Sequence, residues 1–247
     1  MYNTTKALVL REVRYKEADR MLSLMTEKYG LITAKARGAL RKTSKASAAT
    51  QQLCWSELTL FGNKGRWSVN EGTVLESFEG LKYDIAAFSL GCYFAQLTEA
   101  LAAEDEPDGE LLSLCLNSLY ALSRNLRPQE QIKAAFELRL MCLAGYEPDL
   151  RYCLSCGCEN PESPLLLVSG GSVCCRSCKT RDMGESAALS ADSLKAMRFI
   201  VNAPPKKFLS FALPEGEIKI LGNAVEKYTL NHMGRSFKTL DYWKSVK

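Results

Sequence analysis

Ten cysteines lie along the 247 residues, and four of them are spaced for metal chemistry. Cys153 and Cys156 make one Cys-x-x-Cys pair, Cys175 and Cys178 make another, and eighteen residues separate the pairs. Two tight turns that each carry two thiolates can close a tetrahedral shell around one zinc ion. Pro161, Pro164, Gly170 and Gly171 in the gap suit a ribbon that folds back to present its second pair. Two more thiols crowd the array. Cys158 stands too close to Cys156 for the usual turn, and Cys174 adjoins Cys175, so a one-residue shift of strand register would exchange them. Only Cys175 makes Cys-x-x-Cys with Cys178, so the expected ligands of a single structural zinc are Cys153, Cys156, Cys175 and Cys178. The competing uses are a pair of disulfides in a secreted protein or a redox dithiol. Cys54, Cys92, Cys115 and Cys142 fall in apolar runs and read as small core residues.

The elements that must carry this array follow a basic, acidic, basic division of charge. Lys and Arg against Asp and Glu number 13 to 8 over residues 1–80, 5 to 11 over 81–150, and 14 to 9 over 151–247. Residues 29–56 hold Lys35, Arg37, Arg41, Lys42 and Lys45 and no acid, a footprint for a polyanion. The first segment reads as five short strands: Ala7 to Val13, Met21 to Thr26, Leu31 to Arg37, Leu53 to Phe61 and Arg66 to Leu75. Five strands make a small barrel, with Trp55, Leu58, Leu60, Trp67, Val69 and Val74 as its bulk and Gly62–Gly65 as a hairpin connection. The loop from Gly38 to Thr50 is small, polar and basic. A barrel with such a loop is what an OB-fold offers to single-stranded nucleic acid, where cations follow phosphates and rings stack on bases. Trp67 and Tyr29 suit stacking, but in so small a barrel they are expected in the core.

From Asp84 the apolar period becomes helical. Ile85, Phe88, Cys92, Ala95 and Leu101 mark one stripe, Leu111, Cys115, Leu119 and Leu122 a second, and Ile132, Phe136, Leu140 and Leu143 a third between Pro128 and Gly145. After the cysteines come Leu194, Met197 and Val201, then Ile218, Leu221, Val225 and Tyr228, closed by Gly234. The expected fold is α+β: an OB-fold over residues 1–80, a helical domain over 81–150 and 184–247, and a zinc ribbon inserted at 151–183.

Catalysis finds little support. The lone histidine, His232, sits at a predicted helix end and reads as a surface residue, which leaves neither a zinc deaminase nor a Ser-His-Asp hydrolase. No Walker sequence is present. The opening MYNTTKALVLREVRYKEADR has no secretory pattern, and no run approaches the ~20 apolar residues of a membrane helix, so a cytoplasmic, reducing location is expected.

Four stretches together resemble the RecO family of bacterial DNA repair and recombination proteins: ALVLREVRYKEADRMLSLMTEKYGLITAKARGALRKTSK, FELRLMCLAGYEP, the Cys153 and Cys156 pair, and SGGSVCCRSC. The resemblance spans nearly the whole chain and departs at the doubled Cys174-Cys175. It implies an OB-fold, a helical domain with a zinc ribbon, and no reaction of its own. It also implies binding of single- and double-stranded DNA, annealing of complementary strands, and capture of the C-terminal tail of single-stranded DNA-binding protein. Joint action with RecR to load RecA and a place at the nucleoid follow from the same likeness. By position, the family's basic loop falls on Lys35, Arg37, Arg41, Lys42 and Lys45. Arg139 shares the face of the third stripe and must find a partner. That partner is either an internal carboxylate such as Glu99 or Glu147, or the carboxylate of the acidic, apolar tail. A zinc-ribbon RNA-binding or transcription factor is the alternative that shares barrel and ribbon.

Overall fold

The structure is a computed structural model and describes residues 2–63 and 66–247. Strands β1 (Tyr2–Tyr15), β2 (Asp19–Thr26), β3 (Gly30–Ala36), β4 (Trp55–Asn63) and β5 (Arg66–Glu76) close a barrel in the order β1-β2-β3-β5-β4, with β4 returning to β1. Consecutive neighbours pair antiparallel, while β3 and β5 pair in parallel, and the closed five-stranded result is the OB-fold. β1 begins at Tyr2, earlier than the apolar run, because polar residues with one face inward extend it. β4 begins only at Trp55, since Leu53 has a φ of 63° and interrupts the extended backbone. Lys64 and Gly65 of the expected Gly62–Gly65 hairpin lie outside the described residues.

The barrel interior is built from small side chains. Ala7, Val9, Leu22, Leu24, Ile32, Ala34, Ala36, Leu58, Leu60 and Val69 form the core, and Trp67, Val74 and Tyr29 pack against it from the rim. Trp55, expected inside, is only half-buried and stands outside that cluster. A ring of that size exceeds what a five-stranded barrel encloses, so alanines take the crowded positions. The Gly38–Thr50 segment is less free than its polarity suggests. Ala39, Ala46 and Ala49 insert into the same core, and the buried Arg20 on β2 ties the segment down through Ser47 O (2.8 Å) and Thr50 Oγ1 (2.9 Å).

Helices α1 (Ile85–Leu101), α2 (Gly109–Ser123) and α3 (Gln129–Leu143) precede a small sheet of β6 (Asp149–Cys153), β7 (Leu165–Leu167), β8 (Ser172–Cys174) and β9 (Ser186–Ala188), ordered β6-β8-β7-β9. Helices α4 (Ala191–Asn202), α5 (Glu215–Met233) and α6 (Lys238–Val246) follow. Asp84 and Asp108 accept the amides of Ala87 and Leu111, and Ser190 forms a reciprocal capping box with Ser193, which fixes three helix starts. The chain forms two compact units, Met1–Arg124 with Thr239–Lys247, and Asn125–Lys238.

In the first unit, α1 keeps only part of the expected stripe: Ala95 is buried and Cys92 and Leu101 are partly buried. Ile85 and Phe88 are exposed, whereas Ala86, Ala87, Leu90, Tyr93, Phe94 and Leu97 are buried. The sequence carries apolar residues on every side of this helix, so a single period does not pick the packed face. Helix α6, which carried no recognised stripe, buries Leu240 and Trp243. In the second unit, residues 131–138 of α3 are buried all round, Lys133 and Glu137 included. Lys133 Nζ lies 2.9 Å from Glu137 and 2.9 Å from Glu226 of α5, which offsets the desolvation of its charge. His232 is a correction: it is half-buried, with its ring 4.5 Å from that of Tyr146 and 4.3 Å from that of Tyr228.

Candidate nucleic-acid interface and metal centre

Strand alternation decides which barrel residues face out. On β3, Ile32, Ala34 and Ala36 point into the core, so Thr33 and Lys35 take the outer face, and Arg37, in the turn just past the strand, is exposed beyond them. β3 places Lys35 beside Ser68 of β5, and β5 places Ser68 beside Phe61 of β4. The result is a groove of about 670 Å³ lined by Tyr15, Met21, Thr33, Lys35, Arg37, Phe61, Arg66, Trp67 and Ser68. Its lining combines three cations with three aromatic rings. Trp67 lies across Gly62, where an added Cβ would come within 2.8 Å of the ring, and it packs tilted against Tyr29 with ring centres 4.7 Å apart. Trp67 thus touches the core with one side and the groove with the other, which corrects its assignment to the core alone.

The five basic residues singled out from sequence divide. Lys35 and Arg37 line the groove, whereas Arg41, Lys42 and Lys45 are exposed on the following loop and do not line it. Lys35 is partly neutralised: Asp19 sits 2.8 Å from its ammonium, and its carboxyl is held below the usual range by Lys35 and then by the Gly38 amide. Lys35 Nζ also lies 5.0 Å from the centre of the Tyr15 ring. Tyr15, Phe61 and Arg66 were missed because they come from three strands whose register only the closed barrel sets. Cations beside rings on a concave surface suit a phosphate backbone with unstacked bases.

In the second unit, two turns assemble the thiols. The first is closed by Gly157 N–H donating to Cys153 O (2.9 Å) and Cys153 N–H to Cys158 O (2.8 Å), with Gly157 at a φ of 71°. The second is closed by Cys178 N–H donating to Cys175 O (3.0 Å). Strand β6 runs parallel to β8 with Cys153 beside Val173, which brings the turns together. The Sγ atoms of Cys153, Cys156, Cys175 and Cys178 all lie within 4.8 Å of one another. Sulfurs bound at ~2.3 Å around one tetrahedral zinc stand about 3.8 Å apart. Cys156 and Cys175 Sγ are 3.8 Å apart. Cys174 points elsewhere: it pairs with Leu165 on β7, and burial pushes its thiol up.

The electrostatics ask for a cation. Burial pushes the Cys153 thiol up, but the amides of Cys156, Cys175 and Ser155 outweigh it and hold the thiol at about 6. Cys158 and Cys178 are pushed up to about 12, the first by its hydrogen bond to Cys175 and the second by its bond to Cys156. So many sulfurs cannot ionise side by side unless a metal binds them. The donor set therefore fits a metal ion, and a four-sulfur shell has no open position for chemistry.

Arg139 takes neither expected carboxylate. Its Nη1 donates to Val201 O (2.8 Å) and Ile200 O (3.4 Å), where it satisfies carbonyls in the last turn of α4, while Glu99 pairs with Arg11 (3.0 Å). Lys206 and Lys207 are exposed, and Lys219 is bound to Glu215 at 2.6 Å. No helix among the described residues is long and apolar enough to cross a membrane.

Comparison with known proteins covers both units. A family profile described as Recombination protein O N terminal matches residues 1–78, and one described as Recombination protein O C terminal matches residues 82–241. The DNA repair protein RecO of Acetivibrio thermocellus is 32% identical over 245 residues, 99% of this chain and 97% of that protein. The DNA repair protein RecO of Alkaliphilus metalliredigens is 28% identical over 98% of each chain, and that of Clostridium novyi is 35% identical over 69% of this chain and 67% of its own.

Proposed function

The chain belongs to the RecO family of DNA repair proteins, and on that premise we propose that it is a non-enzymatic recombination mediator that binds and anneals single-stranded DNA. The observation that carries this reading is the barrel groove, where Lys35, Arg37 and Arg66 stand among Tyr15, Phe61 and Trp67. Cations follow the phosphates of a strand while rings hold its bases apart from their own stack, so a bound strand presents an edge to its complement. Arg41, Lys42 and Lys45 on the adjoining loop extend the path for phosphate, and duplex DNA uses the same charges.

In this reading one zinc ion is held by Cys153, Cys156, Cys175 and Cys178 and serves the fold of the small sheet. The tail of single-stranded DNA-binding protein docks on the second unit, with Arg139 contributing to capture of its acidic end. RecR joins the complex, and RecA is loaded on the strand that results, in the cytoplasm at the nucleoid. The test is annealing of complementary strands coated with single-stranded DNA-binding protein, with and without this chain. Acceleration that disappears on removing Arg37 and Arg66 together supports the reading. Tight binding of RNA or DNA with no annealing through the coat would instead favour an RNA-binding or transcription factor.

A further inference from the structure

A fifth sulfur lies beside the four that stand within 4.8 Å of one another. Cys158 Sγ is 3.3 Å from Cys175 Sγ, nearer than the 3.8 Å between Cys156 and Cys175. The position is built by the backbone. Gly157, at a φ of 71°, turns the chain back, and Cys158 O receives the Cys153 amide at 2.8 Å, which sets the Cys158 side chain at the edge of the cluster beside Cys175. Cys156 is meanwhile the exposed member of the four, whereas Cys153 and Cys175 are buried. Two thiols of one turn therefore compete for one corner of the shell, and the corner is the one open to solvent.

We propose that Cys158 is a reserve ligand that takes the place of Cys156 in the metal shell. The inference deepens the zinc reading above and rests on it. In the exchange the Cys158 thiol gives its proton to water and forms a bond to the metal. The Cys156 sulfur leaves as a thiolate and takes up a proton, so charge and ligand number are unchanged. The consequence is a centre that keeps four sulfurs when its exposed thiol is alkylated or oxidised. A neighbour already in contact recloses the shell before a chelator can enter.

The experiment uses the full-length chain purified under reducing conditions, with zinc counted by elemental analysis and its sulfur neighbours by X-ray absorption. Cys153→Ser, which removes a buried ligand with three amide partners, should lose the metal. Cys156→Ser should keep about one zinc with four sulfurs at ~2.3 Å, and the Cys156→Ser/Cys158→Ser double variant should lose it. Loss of zinc from Cys156→Ser as complete as from Cys153→Ser, or retention with only three sulfurs, would overturn the proposal. Cys158→Ser leaves the resting ligands intact and provides a second measurement. It should hold one zinc yet release it to a chelator several-fold faster than the parent, and an unchanged release rate counts against a reserve role. A parent protein without zinc would instead defeat the reading on which the inference stands.

Discussion

Arg20 shows how much one side chain decides in a small barrel. It is buried, it donates to Ser47 O and Thr50 Oγ1, and Glu12 stands 3.6 Å away. Arg20→Ala leaves that carbonyl and hydroxyl under the loop without their charged donor, at a cost of about 2–3 kcal/mol. The expected result is a lower urea midpoint for the barrel, followed by tryptophan fluorescence, since Trp55, Trp67 and Trp243 all lie in the first unit. An unchanged midpoint would mean that water replaces the guanidinium. His232 gives a prediction of opposite character. Burial holds its imidazole below the ordinary value of 6.5, against a smaller upward pull from a hydrogen bond to the Val168 backbone. Unfolding therefore takes up a proton between the lowered folded value and ~6.5, so stability rises with pH across that window and is lost as pH falls through it. Asp19, Asp149, Asp182 and Glu215 are all lowered from 3.8 or 4.5 and act below the window. His232→Phe should flatten the slope of denaturation midpoint against pH just below ~6.5, and a slope that persists there would assign it to another group, first the Cys153 thiol held at about 6. Little of this was legible beforehand, because a lone histidine or a strand arginine shows its surroundings only after the chain closes around it.

Among the elements, legibility followed how many sides each one buries. Helix α2 shows one face, and its expected stripe, Leu111, Cys115, Leu119 and Leu122, is buried throughout. Helix α1 is packed on most of its circumference, and of the stripe its period gave, Ile85 and Phe88 are exposed, Cys92 and Leu101 are partly buried and Ala95 is buried. The two Cys-x-x-Cys turns were legible because ligand spacing is local, while the groove was half-legible because it joins all five strands. That geometry separates two contributions to DNA affinity. Arg37→Ala with Arg66→Ala removes two groove cations that have no carboxylate like the Asp19 of Lys35 among the described ion pairs. The slope of log affinity against log salt on single strands should fall by roughly 1 to 1.5 units. Lys35→Ala should change the slope less, since Asp19 already offsets its charge. Trp67→Leu should weaken binding by about 1–3 kcal/mol with little change in slope, because stacking releases no counterions. Salt titration of the folded variants decides, and equal slopes for parent and double variant would remove the groove from the DNA path.

At the scale of the whole molecule, the charge division visible in sequence acquires a physical meaning, since the basic first segment is the barrel and the four metal-spaced cysteines, Cys153, Cys156, Cys175 and Cys178, fall in the other compact unit. A metal that closes two turns over a three-residue strand such as β8 contributes folding energy where the apolar core is small. Chelation under reducing conditions should therefore melt the sheet of β6 to β9. The tryptophans lie in the other unit and do not report on it, so backbone hydrogen exchange is the measurement. Amides with defined acceptors, such as Leu154 N–H to Val173 O at 2.9 Å and Val168 N–H to Glu185 O at 3.0 Å, should lose protection when the metal is removed. Restoring zinc should bring the protection back. Cys153→Ser should show the same loss without chelator, because it takes away both a sulfur and the acceptor of the Cys175 amide at 3.4 Å. Should those amides stay protected in metal-free reduced protein, the leucines and Val173 would be sufficient to hold the sheet, and the thiols would have to be explained by something other than stability.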